Sequence, residues 1–262
     1  MLTRRHPLVR QLRDLRRDAA ARRDAGLLVA EGVHLVQEAL ASHATIETAV
    51  VVPRLRDLPE GRDLLDALRR RGVTIEEASD EVLDALQDAR APQPVLALVR
   101  HAARSLDDVM SGLPLVVVAC GVQDPGNLGS LVRSTEAAGG TGLVATPGSA
   151  DLTHPRTVRA TMGSIFRLPS VAAQLPAVIE AARARGLLLL GASPSGTPYD
   201  EAPWTKPVAL FLGAEGSGLP EALRGALDAT VAIPMSGAVE SLSVGAAGAV
   251  LLIEAARARR RA

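Results

Sequence analysis

Three loops hold the residues whose types and spacing could do chemistry, and each follows an apolar run. The first is Gly121-Val122-Gln123-Asp124-Pro125-Gly126-Asn127-Leu128-Gly129-Ser130-Leu131-Val132-Arg133. It reads as a turn feeding a helix, with Asn127 expected to cap that helix and Arg133 well inside it, beside Glu136 at i+3. A guanidinium there can hold an anionic oxygen, or simply form a surface pair with Glu136. The second loop, Leu212-Gly213-Ala214-Glu215-Gly216-Ser217-Gly218-Leu219-Pro220, has three glycines that let main-chain N–H groups face a ligand. Glu215, set between glycines, calls for a partner or a ligand; the plain alternative is a solvated carboxylate on a flexible loop. The third runs from Ile233-Pro234-Met235-Ser236-Gly237 through Ser241-Leu242-Ser243 to Gly248. Ser241 or Ser243 is expected to cap a helix whose small residues suit tight packing against another backbone. Taken singly, each loop has an ordinary structural explanation, and none fits the dinucleotide GxGxxG pattern.

The elements that must position these loops alternate along the whole chain, which predicts an α/β fold with a largely parallel sheet. Over the first hundred residues the pattern predicts helices at Pro7–Asp24, Val33–Ala41, Arg62–Arg71 and Asp80–Leu86. Strands are predicted at Leu27–Ala30, Ile46–Val52, Val73–Glu76 and Val95–Val99, followed by a polar linker from His101 to Gly112. Continuous apolar runs then mark strands covered on both faces: Leu115–Cys120, Leu143–Ala145, Leu187–Leu190, Val208–Leu212 and Thr230–Ile233. Helices are predicted between and after them at Leu128–Ala138, Pro176–Arg185, Pro220–Leu227 and Val244–Arg259.

Composition excludes much. With 262 residues, 29 basic against 29 acidic side chains and 47% apolar residues, the chain is expected to be globular, with one large or two ordinary domains. No apolar run approaches a membrane span and the basic N-terminus lacks a signal-peptide core, so a cytoplasmic location is expected. One cysteine, Cys120, excludes an internal disulfide and a multi-thiolate metal site. The histidines are scattered, and no metal is expected. Lys206 is the only lysine and sits in Thr205-Lys206-Pro207, so no Walker A loop is present. Aromatic residues, at 2%, are too few for a base-stacking platform. Residues 1–25 carry eight arginines against three aspartates, a stripe suited to phosphates or to local pairs such as Arg10–Asp14.

In this order the three loops resemble the SpoU/TrmH family of RNA ribose 2′-O-methyltransferases, in the SPOUT superfamily. The family pattern Asn-x-Gly-x-x-x-Arg stands here as Asn127 to Arg133, Gly-Asn-Glu-Gly-x-Gly-Leu as Gly213 to Leu219, and Ile-Pro-Met-x-Gly-x-x-x-Ser-Leu-Asn-Val as Ile233 to Val244. The resemblance covers residues 105–262. The first hundred residues resemble the small ribosomal-protein-like RNA-binding domain of the rRNA-modifying members.

The resemblance implies a substrate-binding domain over 1–104 and a SPOUT methyltransferase domain over 105–262. The latter would carry a parallel sheet and a deep trefoil knot, and would form a homodimer that completes the site. It implies S-adenosyl-L-methionine as cofactor, held at Gly213, Ala214, Glu215, Gly216, Ile233, Pro234, Met235, Leu242 and Ser243. Arg133, Asn127, Glu215, Ser241 and Ser243 match the family's catalytic positions. RNA is the implied partner, rRNA ahead of tRNA, with Arg4, Arg5, Arg13 and Arg133 expected at phosphates. Two positions depart from the pattern: Ala214 and Ser243 replace family asparagines. They leave open a catalytically weak RNA-binding or ribosome-assembly factor that retains the fold. An unrelated nucleotide-binding α/β enzyme is the third reading.

Overall fold

The computed structural model describes residues 1–87, 92–101, 103–223, 225–237 and 241–262. By internal contacts the chain forms two compact units, Met1–Ala103 with Thr153–Arg167, and Arg104–Leu152 with Leu168–Ala262.

The first unit runs through α1 (Pro7–Arg17), α2 (Ala19–Ala25), β1 (Leu27–Glu31), α3 (Val33–Ala41) and β2 (Ile46–Val51). It continues with α4 (Pro59–Arg70), β3 (Thr74–Glu77), α5 (Asp80–Asp84) and β4 (Val95–Arg100). The expected helix Pro7–Asp24 is broken in two. Asp18 takes an extended backbone conformation, ends α1, and its carboxylate accepts from Ala20 N to cap α2. The four strands lie in the order β1-β4-β2-β3, with β4 antiparallel to both neighbours and only β2–β3 parallel. This corrects the expectation of a largely parallel sheet for this unit: a strand buried on both faces reads the same whichever way it runs. Leu28, Ala30, Val95 and Ala97 pack with Leu35 and Val36 of α3 and Leu64 and Leu68 of α4. Leu27, Val29, Leu96 and Leu98 pack on the other face with Leu12 and Leu15 of α1 and Leu83 of α5.

Thr153–Arg167 belongs to this unit although it lies far along the chain. It contains the short helix α8 (Pro155–Ala160), and Val158 and Ile165 complete the core beneath α3 and α4. Charges hold it in place. Arg22 donates to Thr153 Oγ1 (3.1 Å) and to the Leu15 carbonyl (2.8 Å). The buried Glu31 carboxylate accepts from Arg16 Nε at 2.7 Å and lies 3.6 Å from Arg159, while Arg167 meets Glu38 at 2.6 Å. The expected domains, 1–104 and 105–262, part from the compact units over this segment, whose few apolar residues are dispersed among polar ones.

The second unit contains α6 (Leu106–Val109), β5 (Leu115–Cys120), α7 (Pro125–Ala137), β6 (Gly142–Ala145), β7 (Ser170–Ala172) and α9 (Leu175–Ala184). After these come β8 (Leu188–Pro198), β9 (Val208–Gly213), β10 (Ala229–Ala232) and α10 (Val244–Arg259). Every strand pairing is parallel, in the order β10-β8-β9-β5-β6-β7. Along β5, Leu115, Val117 and Ala119 face Leu128, Leu131 and Leu252, while Val116, Val118 and Cys120 face Val109 and Val178. Both sides of the sheet are covered, as its unbroken apolar strands require.

Three expectations are corrected here. The linker 101–112 holds α6, capped by Ser105, and buries Val109 and Met110; Ala102 lies outside the described residues. Pro220–Leu227 is a 3-10 turn at Glu221–Leu223 rather than an α-helix, with Gly225 interrupting it and Arg224 outside the described residues. The three-residue strand β7 was too short to mark itself. At the far end of α10, Arg259 donates to four carbonyls, those of Leu113, Pro114, Trp204 and Lys206, and ties the helix to the strand entries.

Candidate active site

β5 and β9 are neighbours in register, Cys120 opposite Gly213, so the first two loops leave the sheet side by side at its carboxyl edge. That edge is where open α/β sheets hold ligands. Asp124, not Asn127, caps α7: its Oδ1 accepts from Asn127 N at 2.8 Å, and Pro125 fills the first helical position. The expected cap is thereby corrected, and the Asn127 side chain is released for another task. Its Nδ2 donates to Glu215 Oε1 at 2.7 Å. The same oxygen accepts from Val244 N, the first residue of α10, at 3.2 Å. One carboxylate therefore joins the second loop to the starts of two helices, where unsatisfied N–H groups favour an anion.

The second loop is closed by its own main chain. Ala214 N donates to the Gly218 carbonyl at 3.1 Å, and Gly218 N returns a bond to the Ala214 carbonyl at 2.9 Å. A Cβ at Gly213 would collide with the Gly218 main chain, so glycine is required at that position. Ala214 thus serves the loop through its backbone. In the third loop Ser243, rather than Ser241, is the helix cap, with Oγ accepting from Ala246 N at 3.3 Å. Ser241 is exposed. Residues 238–240 of the third motif lie outside the described residues. A Cβ at Gly245 would come within 2.9 Å of Asn127 Oδ1, so α10 lies close on α7 because its facing residues are small.

The second and third loops border a cavity of about 820 Å³, within the range of small-molecule and cofactor sites, roughly 300–1,000 Å³; the first loop reaches it only through the Asn127–Glu215 hydrogen bond. Of the expected cofactor positions, Gly213, Ala214, Glu215, Gly216, Ile233, Met235, Leu242 and Ser243 line it, as does Ser241; Pro234 does not. Leu212, Val231 and Leu251 give it an apolar floor. One wall was missed in the sequence: Ala192, Ser193 and Pro194 of β8. The register of β8 on β10 jumps there, from Thr230 opposite Gly191 to Val231 opposite Thr197, so the intervening residues bulge outward. Their composition, Gly191-Ala192-Ser193-Pro194-Ser195-Gly196, was the available signal, because such residues punctuate strands.

Arg133 stands apart from this cavity. It is exposed on α7 and has no hydrogen-bond or ion-pair partner among the described residues, so the alternative of a surface pair with Glu136 is not realised there. Its guanidinium is free to meet an anion. Cys120, beside Gly213, is no nucleophile: burial pushes its thiol up to about 12, against a weaker opposing hydrogen bond from Thr146. Among the described residues no group of three His, Cys, Asp or Glu could hold a metal ion. In the first unit, Arg4 is paired with Glu81 at 2.6 Å, which weakens its expected part in phosphate binding. Arg5 is exposed and Arg13 half-buried, both without a partner among the described residues.

Comparison with known proteins identifies the family. The SpoU rRNA Methylase family matches residues 114–253, and the MRM3-like substrate binding domain matches residues 6–97. The 23S rRNA (guanosine(2553)-2′-O)-methyltransferase RlmP of Bacillus subtilis (strain 168) is 32% identical over 223 residues, 85% of this chain and 85% of that protein. The 23S rRNA (uridine(2479)-2′-O)-methyltransferase of Streptomyces viridochromogenes is 34% identical over 210 residues, 76% of this chain and 71% of that protein. The crystal structure of the SpoU methyltransferase AviRb from Streptomyces viridochromogenes, in complex with the cofactor AdoMet, matches with a TM-score of 0.86 at 31% identity. That match covers 98% of this chain and 99% of the other. The chain belongs to the SpoU rRNA methylase family.

Proposed function

We propose that this protein transfers a methyl group from S-adenosyl-L-methionine to a ribose 2′-hydroxyl of RNA, with ribosomal RNA the favoured substrate. The carrying observation is the Glu215 junction, which brings Asn127, the glycine loop and the start of α10 together beside a cavity of cofactor size. The cavity suits the cofactor: its floor is apolar and its rim is largely main chain, so neither Ala214 nor Ser243 removes a support that the loops need. S-adenosyl-L-methionine would be held by the glycine loop and by Ile233, Met235, Leu242 and Ser243 and would supply an electrophilic methyl to the ribose oxygen, with the 2′-hydroxyl proton passing to solvent.

The chain's own residues position and polarise. Arg133 donates to the phosphate beside the target ribose and stabilises negative charge developing on the 2′-oxygen. Its part is electrostatic: a guanidinium brings donors and charge and has no acceptor to offer a proton. Glu215 and Asn127 keep α7 and the glycine loop in register; Ser241 and Ser243 flank the cavity mouth. Holding the hydroxyl in line with the methyl is itself a large share of such a rate.

The first unit is read as the ribosomal-protein-like substrate-binding domain, supported by the family match over residues 6–97. For the second unit we infer the family's deep trefoil knot, a reading supported by the crossed strand order and by α10 lying on α7. We also infer a homodimer. Before Glu254 the outward side of α10 is apolar, with Ala246 exposed and Ile253 54% exposed, and an apolar helix face is one that something covers. A cytoplasmic location goes with an rRNA substrate, and among the described residues no helix is long and apolar enough to cross a membrane.

The test is transfer of labelled methyl from S-adenosylmethionine to unmodified rRNA and tRNA, with Arg133→Ala alongside. Label in rRNA that the variant loses supports the reading. Label in neither RNA, with S-adenosylhomocysteine still bound, points to the binding-factor alternative.

A further inference from the structure

We infer that Arg10, Arg13 and Arg17 form the RNA phosphate-tracking edge of the first unit, a reading that rests on RNA being the substrate. The eight arginines of residues 1–25 look equivalent in sequence, but the fold sorts them. Arg16 is drawn inward to Glu31, Arg22 is buried against Leu15 and Thr153, and Arg4 is paired with Glu81. Three of the remainder share one side of α1. The helix buries Val9, Leu12 and Leu15. At 100° per residue, positions 10, 13 and 17 then fall within about 60° of one another on its flank. Arg10 and Arg17 are exposed and Arg13 is half-buried, and none has a partner among the described residues.

The nearby carboxylates leave these cations free. Asp14, at i+4 from Arg10, makes no ion pair among the described residues, and Asp18 is engaged in capping α2. Aromatic side chains are absent from α1 and α2, so the edge offers charge without stacking. One turn of helix advances 5.4 Å, so Arg10, Arg13 and Arg17 present guanidinium groups one turn apart along roughly 10 Å. That is a spacing for successive phosphates, and planar forked donors match phosphate oxygens bidentately. Such an edge recognises the backbone and sets register; it reads no base.

The experiment measures binding of in vitro transcribed 23S rRNA by the full chain across a salt series. It compares the wild type with Arg10→Gln/Arg13→Gln/Arg17→Gln and with Arg62→Gln/Arg69→Gln/Arg70→Gln, which removes equal charge from α4. Each lost phosphate contact lowers the slope of log K against log salt by about 0.7–0.9. The α1 variant is expected to lose about two units of slope and at least tenfold in affinity, with S-adenosylhomocysteine binding unchanged; the α4 variant keeps the wild-type slope. Because Arg13 is half-buried, Arg10→Gln/Arg17→Gln is measured as well, and a loss of about 1.5 units is expected. Equal losses in the α1 and α4 variants would show an effect of net charge alone and overturn the assignment. So would a wild-type slope in both α1 variants. Failure of the wild-type chain to bind or methylate the RNA would instead overturn the functional reading, and the edge with it.

Discussion

Charged side chains around Glu31 in the first unit and around the glycine loop in the second do opposite things, although Arg10 and Arg17 stay exposed in the first and Arg259 is tied to four carbonyls in the second. In the first, arginines are drawn into the fold: Arg16 and Arg159 converge on Glu31, Arg167 reaches Glu38, and Arg22 is buried against a carbonyl and a hydroxyl. In the second, the cofactor loops are held by main chain and one carboxylate, while Arg133 on the adjoining helix is left without a partner. An arginine already satisfied by a neighbour stabilises structure and offers little to a ligand. One left unsatisfied keeps its full interaction for a charge that arrives or develops near it.

The comparison is broken most severely at Arg133. Arg133→Ala is expected to cut methyl transfer by 100-fold or more, the order seen when a single transition-state donor is removed. Its Tm and its affinity for S-adenosylhomocysteine should stay at wild-type values. Activity surviving within a few-fold would mean that the unpartnered arginine is surface decoration.

Glu31→Gln should do the reverse. Glu31 and Arg16 side chains are 2% and 10% exposed, so removing the acid's charge breaks a buried ion pair, a change that costs about 3–5 kcal/mol. Denaturant unfolding should show that loss, with cofactor-product affinity unaffected. A loss below about 1 kcal/mol would show that the pair is better hydrated than its burial implies.

Glu215→Ala tests the junction where structure and function meet. Two hydrogen bonds disappear, for an expected destabilisation of about 1–2 kcal/mol and a fall of about tenfold in S-adenosylhomocysteine affinity. Glu215→Gln keeps an acceptor for Val244 N and should recover most of both. Equal damage from the two variants would indicate that the negative charge itself matters at the start of α10.

The smallest effect concerns pH. Burial of Asp228 acts to raise its pKa, but the Leu189 N–H and Arg183, whose Nη1 reaches both carboxylate oxygens, outweigh it and hold the carboxyl below its ordinary value. A depressed carboxyl contributes stability in full above its unfolded value of about 4, and loses it as pH falls toward the folded value. Asp228→Asn should therefore flatten the acid limb of a Tm-against-pH curve below about pH 4. An unchanged limb would assign acid sensitivity to other carboxylates.

How far the sequence could be read differs between the units for related reasons. In the second unit β5, β6, β9 and the start of β8 announced themselves because they are apolar throughout, and α10 was legible from Val244 to Arg259. The glycine loop was legible because three glycines around Glu215 have few other uses. Strand direction in the first unit was not, since burial on both faces leaves no directional mark. The cap at Asp124 was misassigned to Asn127 because both residue types cap helices, and only the fold shows that the Asn127 amide is needed by Glu215. The wall at Ala192–Pro194 was hidden by a register jump that depends on a distant strand.

The placement of Thr153–Arg167 has a consequence for biosynthesis. A chain made from its N-terminus has already released α1, the four strands and α4 when residue 103 emerges, yet the apolar face that awaits Val158 and Ile165 is still open. At about 5–20 residues per second, the missing segment follows only after several seconds, once β5, α7 and β6 have been synthesised. During that interval the nascent protein exposes an unfinished hydrophobic surface at the tunnel exit.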